Sequence, residues 1–231
     1  MKNSNAKYSL GEIVKELKSK ANPDNLKGMA RYGMDTTNRL GNSIPFLRKL
    51  AKEIGKDHKL ALELWEKGID ETKILASMIA EENKLTEEQA EKWVADFNSW
   101  DVCDQVCMNL FEKMPFVQKK IKEWSEREEE FVKRTAFSLI ACITWHNKEL
   151  PDEELIKFFS LIKKGAEDER NYVKKAVSWA LRNIGKKNKN LNKEVTNFAK
   201  KLEQSESKSS KWIARDTLRD IQRETVKKRW P

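Results

Sequence analysis

Apolar residues recur along this chain with the period of an α-helix. In IPFLRKLAKEI (44–54), Leu47, Leu50, Ala51 and Ile54 fall at i, i+3, i+4 and i+7, one face of a helix. LALELWEKG (60–68) and ETKILASMIAEEN (71–83) continue the pattern, separated by Gly68. Thr86 and Gln89 have the spacing of a capping box: Thr86 can cap while Gln89 reaches back, which starts a helix running through Trp93. A break near Asn98-Ser99 starts the next, NSWDVCDQVCMNLF (98–111), which contains no Pro or Gly. Leu150-Pro151-Asp152 marks a further boundary. No segment sustains the alternation of a strand. The pattern predicts an all-α fold of about ten to twelve helices.

The second half of the chain repeats. FVKRTAFSLIACI begins at Phe131, YVKKAVSWALRNI at Tyr172 and WIARDTLRDI at Trp212, offsets of 41 and 40 residues. Each copy opens on an aromatic residue, continues with Val or Ile, and has a cation in fourth place: Arg134, Lys175 and Arg215. A period near 40 residues is that of a two-helix HEAT or armadillo unit. Such units stack into an α-solenoid with a concave surface. If equivalent helices line that surface, the three cations form a basic row on it. A helix-hairpin packing rule explains the apolar matches, but less naturally the recurring cation.

Charge sharpens this. The chain carries +9 overall, with 36% charged residues and few Gly or Pro, 8 and 5. Residues 1–130 hold 22 basic and 24 acidic residues, a net of −2, whereas residues 131–231 hold 24 and 13, a net of +11. A solvated helical surface accounts for any one lysine. A half-chain this basic points to a polyanion, with nucleic acid first. No run of 18 apolar residues predicts a membrane span, and MKNSNAKYSL lacks the apolar core of a signal peptide. Three cysteines without a CxxC pair, and two distant histidines, His58 and His146, predict neither a disulfide framework nor a metal site. A reducing cytoplasm, in association with the nucleoid, fits best.

Trp100 and Asp104 stand at i and i+4, neighbours on one helical face. Asp101 and Asp104 cannot both point the same way. A core tryptophan beside a surface aspartate is the ordinary explanation of such a pair. Cys103 and Cys107 read as buried thiols. His146 reads as a polar boundary residue, and Trp65, Trp93, Trp124 and Trp145 as packing between helices. GKKNKN (185–190) reads equally as a solvated turn or as a phosphate contact.

Four segments carry a resemblance. RYGMDTTNRLGNSIPFLRKLAKEIG, WDVCD, EEEFVKRTAF and YVKKAVSWALRNIGKKN, in that order, resemble the AlkD-like DNA alkylation repair family from about Arg31 to Arg219. The resemblance implies one HEAT-like repeat domain over 1–231, with 1–30 an N-terminal helical segment and a basic concave face for duplex DNA. It implies a monomer, without metal or other cofactor, that excises cationic alkylated purines, chiefly N3-methyladenine and N7-methylguanine. The family's aspartate one turn after a tryptophan matches Asp104 after Trp100. Its arginine matches Arg134, and its second tryptophan matches Trp179. Expected DNA contacts are Arg134 and Lys133, Lys174 and Lys175, Arg182, Lys186, Lys187 and Arg215.

These residue types suit that chemistry. An N3- or N7-alkylated purine is cationic, so the base leaves neutral and needs little or no general acid. The deoxyribose left behind develops oxocarbenium character. A carboxylate stabilises that cation more in the transition state than in the ground state. Each indole face adds roughly 0.5–2 kcal/mol of cation–π attraction, and Arg134 would bind a phosphate. The resemblance further implies that the lesion's sugar-phosphate backbone lies against the cleft while the base stays in the stack. Two rivals remain: a HEAT-repeat protein that binds damaged or branched DNA without excision, and a protein–protein scaffold, which the +11 half-chain disfavours.

Overall fold

The structure, a computed structural model, describes residues 8–228 and Trp230. Residues 1–7, most of the stretch read for a signal sequence, lie outside them. Among the described residues the chain forms fifteen α-helices and one 3₁₀ turn, Phe111–Lys113, and no strand. That exceeds the ten to twelve expected. Some helices are too short to show a period. One apolar stretch is divided at Phe158 into α10 (Asp152–Lys157) and α11 (Phe159–Gly165), and the last helix, α15, is only Glu224–Lys227. Contacts divide the chain into two units, Met1–Pro115 and Phe116–Pro231.

The first unit holds α1 (Leu10–Ser19), α2 (Pro23–Arg31), α3 (Ile44–Ile54), α4 (His58–Trp65), α5 (Asp70–Ile79), α6 (Glu87–Ala95) and α7 (Trp100–Asn109). Its centre is α5, which packs against α3, α4 and α7. The apolar face read from 44–54 is mostly inward: Leu47 and Leu50 are buried, whereas Ala51 and Ile54 are partly covered. The capping box forms as expected, with Thr86 Oγ1 accepting from the Gln89 N–H and Gln89 Oε1 accepting from the Thr86 N–H. Trp65 and Trp93 stack at 3.9 Å between ring centroids with planes 3° apart. The Trp65 indole N–H donates to Asp96 at 2.8 Å, so the buried ring keeps a polar partner.

The second unit contains α8 (Val117–Ser125), α9 (Glu130–His146), α10, α11, α12 (Asn171–Gly185), α13 (Lys189–Glu203), α14 (Lys208–Ile221) and α15. The three repeated segments are α9, α12 and α14. They stack in order, α9 on α12 and α12 on α14, with α8 backing α9 and α13 backing both α12 and α14. Gly165 shows how close the layers come: a Cβ there would lie 2.1 Å from a Phe137 ring carbon. Polar rungs cross the stack. Tyr172 N–H donates to Glu130, Arg134 donates to the Tyr172 carbonyl at 2.7 Å, and Ser178 donates to Asp216 at 2.6 Å. The sequence separations of these rungs are near the repeat period, so they tie equivalent levels of successive units together.

Candidate functional site

Helix α7 begins where the sequence breaks, with Ser99 in an extended conformation and Trp100 as its first residue. Val102, Cys103, Val106 and Cys107 face the core. That leaves Trp100 and Asp104, both half-buried, on the other side of the helix. The Trp100 indole N–H donates to the Tyr32 carbonyl at 3.1 Å. The ring is therefore oriented by a polar contact rather than sunk in the core, and the ordinary reading of a core tryptophan does not hold. Tyr32 itself is 76% exposed. Its position beside Trp100 makes it a candidate that the sequence reading did not single out.

The two aspartates do point differently. Asp101 is gripped by Arg39, at 2.6 Å to Nη1 and 2.9 Å to Nη2, and accepts from Ser99 Oγ at 2.6 Å. Arg39 also donates to Asp70 Oδ2 from Nε at 2.9 Å and Nη2 at 2.6 Å. Arg39 and Asp70 side chains are each 2% exposed. Burial opposes the charge on Arg39, yet Asp101 and Asp70 hold its pKa above the usual arginine value. Burial pushes the Asp70 carboxyl upward, against the pull of Arg39.

Next along α5, the buried Glu71 carboxylate accepts backbone N–H groups from Leu40, Gly41 and Asn42. Gly41 has φ +80°, and a Cβ there would stand 2.2 Å from the Asn22 carbonyl oxygen. Asn42 Nδ2 donates to the Leu17 and Lys20 carbonyls. RLGN (39–42), part of the longest segment of the resemblance, is thus a structural clamp. It joins α1, α5 and the first turn of α7, and so fixes the helix that presents Trp100 and Asp104.

The remaining expected site residues belong to the second unit, in varied surroundings. Arg134 is only 5% exposed and links α9 to α12. Lys175 is exposed, and Arg215, also exposed, pairs with Glu203 at 3.1 Å. The recurring cation therefore occupies three different environments. Lys133 lies 3.5 Å from Asp168. Lys174 sits over the Trp212 ring at 5.3 Å. Arg182 lies 3.5 Å from Asp216 and 4.0 Å from Asp220, which also takes Lys186 at 2.8 Å. Burial disfavours the charge on Asp220, but Lys186 and Arg182 hold its pKa below the ordinary value. Lys187 donates to the Asn147 and Leu150 carbonyls, and burial lowers its pKa. The 186–188 turn is thus a braced connection between α12 and α13, with Asn188 capping α13.

Trp179 is half-buried and lines a cavity of about 600 Å³ together with Trp145, Lys148, Asn183, Lys186 and Lys187. Trp65, Trp93 and Trp124 are buried, as expected. Trp145 is not: it is 54% exposed, in the last turn of α9. His146 is exposed and stacks on Trp145, with centroids 5.3 Å apart. Cys103 and Cys107 are fully buried.

Comparison with known proteins identifies the family and the fold. Residues 13–221 match the model of a family described as DNA alkylation repair enzyme. The uncharacterized protein Lin0241 of Listeria innocua is 27% identical over 149 residues, covering 63% of this chain and 65% of its own. The uncharacterized protein Lmo0209 of Listeria monocytogenes is 25% identical over the same length and shares. The chain thus spans 65% of the length of these curated relatives. A solved structure from "a new family of proteins related to the HEAT-like repeat DNA glycosylases with affinity for branched DNA structures" superposes with a TM-score of 0.74. It is 17% identical, with 92% of this chain and 95% of that one covered. The all-α array is a HEAT-like repeat fold.

Proposed function

The chain belongs to the DNA alkylation repair enzyme family, and from that membership we propose that it is a DNA N-glycosylase, releasing cationic alkylpurines such as N3-methyladenine and N7-methylguanine from duplex DNA. The observation that supports this best is α7. It turns Asp101 inward onto Arg39 and leaves Asp104 outward, one turn from an indole held by the Tyr32 carbonyl. An anion beside an aromatic face suits a cationic sugar. Asp104 stabilises the oxocarbenium-like deoxyribose as the glycosidic bond breaks and orients the attacking water. Trp100 adds an aromatic face to that charge. Lys175, one of the two exposed members of the repeated cations, binds a phosphate. No proton donor is required, because the alkylated base leaves as a neutral molecule.

The test is incubation of the full chain with methylated duplex DNA, followed by chromatography of released bases. Free N3-methyladenine or N7-methylguanine is the expected product. DNA binding with no base released would instead favour the second reading, a protein that recognises damaged or branched DNA without excision. That reading is suggested by the branched-DNA affinity ascribed to the structurally similar family.

A further inference from the structure

Trp145 has no part in the activity proposed above, yet it is an exposed indole in the most basic part of the chain. Its ring lines the cavity of about 600 Å³ that also holds Trp179. That volume lies within the range of small-ligand sites, about 300–1,000 Å³. The walls are mixed rather than greasy. Lys148 is exposed at the rim, its ammonium fixed by donating to the Trp145 carbonyl at 2.6 Å. Asn183 donates through Nδ2 to the Ala141 carbonyl at 3.1 Å, which leaves its Oδ1 as an acceptor. Lys186, held by Asp220 at 2.8 Å, brings a third polar group to the same cavity.

A flat aromatic ring, an amide and ammonium groups around one cavity match the parts of a single nucleotide. The ring takes the base, the amide its edge, and a lysine its phosphate. A base paired within the duplex cannot use the ring, since both of its faces are covered by the stack. We infer that this cavity receives an unpaired nucleotide of the bound DNA, its base stacked on Trp145 and its phosphate beside Lys148. Trp145 lies eleven positions beyond Arg134 on α9, about 16 Å along the helix axis. The unpaired nucleotide is thus bound well away from the level of Arg134. The inference rests on the proposed DNA function and adds a class of DNA end or junction to it.

The experiment compares three DNAs by fluorescence anisotropy at one salt concentration: a blunt duplex, the same duplex with a short single-stranded arm, and that arm made abasic. The proteins are the wild type, Trp145→Ala and Trp145→Phe. One stacked base is expected to tighten binding of the armed duplex by roughly five- to a hundred-fold over the blunt one. The gain should vanish with the abasic arm and in Trp145→Ala, and return in part in Trp145→Phe. Blunt-duplex affinity should be unchanged in both variants. Equal affinity for armed and blunt DNA would overturn the inference and leave the glycosylase reading standing. So would a gain that survives removal of the bases, which would be a lysine–phosphate effect alone. A loss of blunt-duplex affinity in Trp145→Ala would make Trp145 a duplex contact and also overturn it. Absence of binding to all three DNAs would bring down both readings.

Discussion

Replacing Arg39 with Met tests whether buried charge holds α7 in place. The side chains of Arg39 and Asp70 are 2% exposed and that of Asp101 is 13% exposed. Without the guanidinium, two carboxylates share a nearly dry site in which Asp70 keeps only the weaker pull of Lys73. Removing one partner of such a network typically costs about 3–5 kcal/mol. With a urea slope of about 2 kcal/mol/M, the unfolding midpoint should fall by about 2 M. The dependence on pH gives the sign. Burial already raises the Asp70 carboxyl in the presence of Arg39, and loss of Arg39 should raise it further. Well below the unfolded-state pKa of about 4, the carboxyl is neutral in both states and the penalty is absent. As pH rises past that value, the unfolded chain gives up the proton first. Stability then falls by about 1.4 kcal/mol per pH unit until the folded carboxyl also ionises. The deficit of Arg39→Met relative to the wild type is therefore small in acid and full at neutral pH. Urea unfolding followed by tryptophan fluorescence, at about pH 4 and about pH 7, measures it. The triple variant Arg39→Met, Asp70→Asn, Asp101→Asn removes all three charges and should recover most of the loss. A neutral-pH deficit below about 1 kcal/mol, the scale of an exposed ion pair, would refute the reasoning. So would a deficit that shrinks as pH rises.

Other expectations concern DNA. If about five phosphates are neutralised, duplex affinity should fall with salt at a log–log slope of roughly −4 to −5, and a flat response in a binding titration would remove nucleic acid as the partner. Asp104→Asn should keep fold and DNA affinity but lose about 10²–10³ in single-turnover release rate, and wild-type rates would exclude Asp104 from the chemistry. Trp100→Ala and Trp179→Ala should each slow release of cationic bases; a neutral lesion such as hypoxanthine should stay in place in the wild type. Efficient hypoxanthine release would reveal a proton donor.

The sequence was most informative where the governing interaction is local. Ser99 marks the start of α7 because the break lies in the chain itself, and Thr86 with Gln89 reads as a box because its partners are three residues apart. The 41- and 40-residue offsets identify α9, α12 and α14 because each copy packs against the next. Ser9 and Glu12 form the same kind of box on α1, a signal present in the chain but left unassigned. The clamp on Asp101 was not legible. Arg39 meets partners 31 and 62 residues away, and no periodicity connects such positions. Trp145 misled because helical phase says which side a residue faces, not how much of a large ring its neighbours cover.

The burial of the cysteines has a consequence for the protein's own survival. Cys103, Cys107 and Cys142 are fully buried, and none is in a disulfide. A thiolate reacts readily with the electrophiles that methylate purines, and its reactivity depends on access. A protein that removes methylated bases, as proposed here, would work while those electrophiles are present. Enclosing all three sulfurs means that a methylating agent reaches them only when the fold opens locally. Thiol modification then proceeds at the pace of that opening, with α7 reporting for the first unit and α9 for the second. The repair protein resists, by packing alone, the chemistry whose products it is proposed to remove.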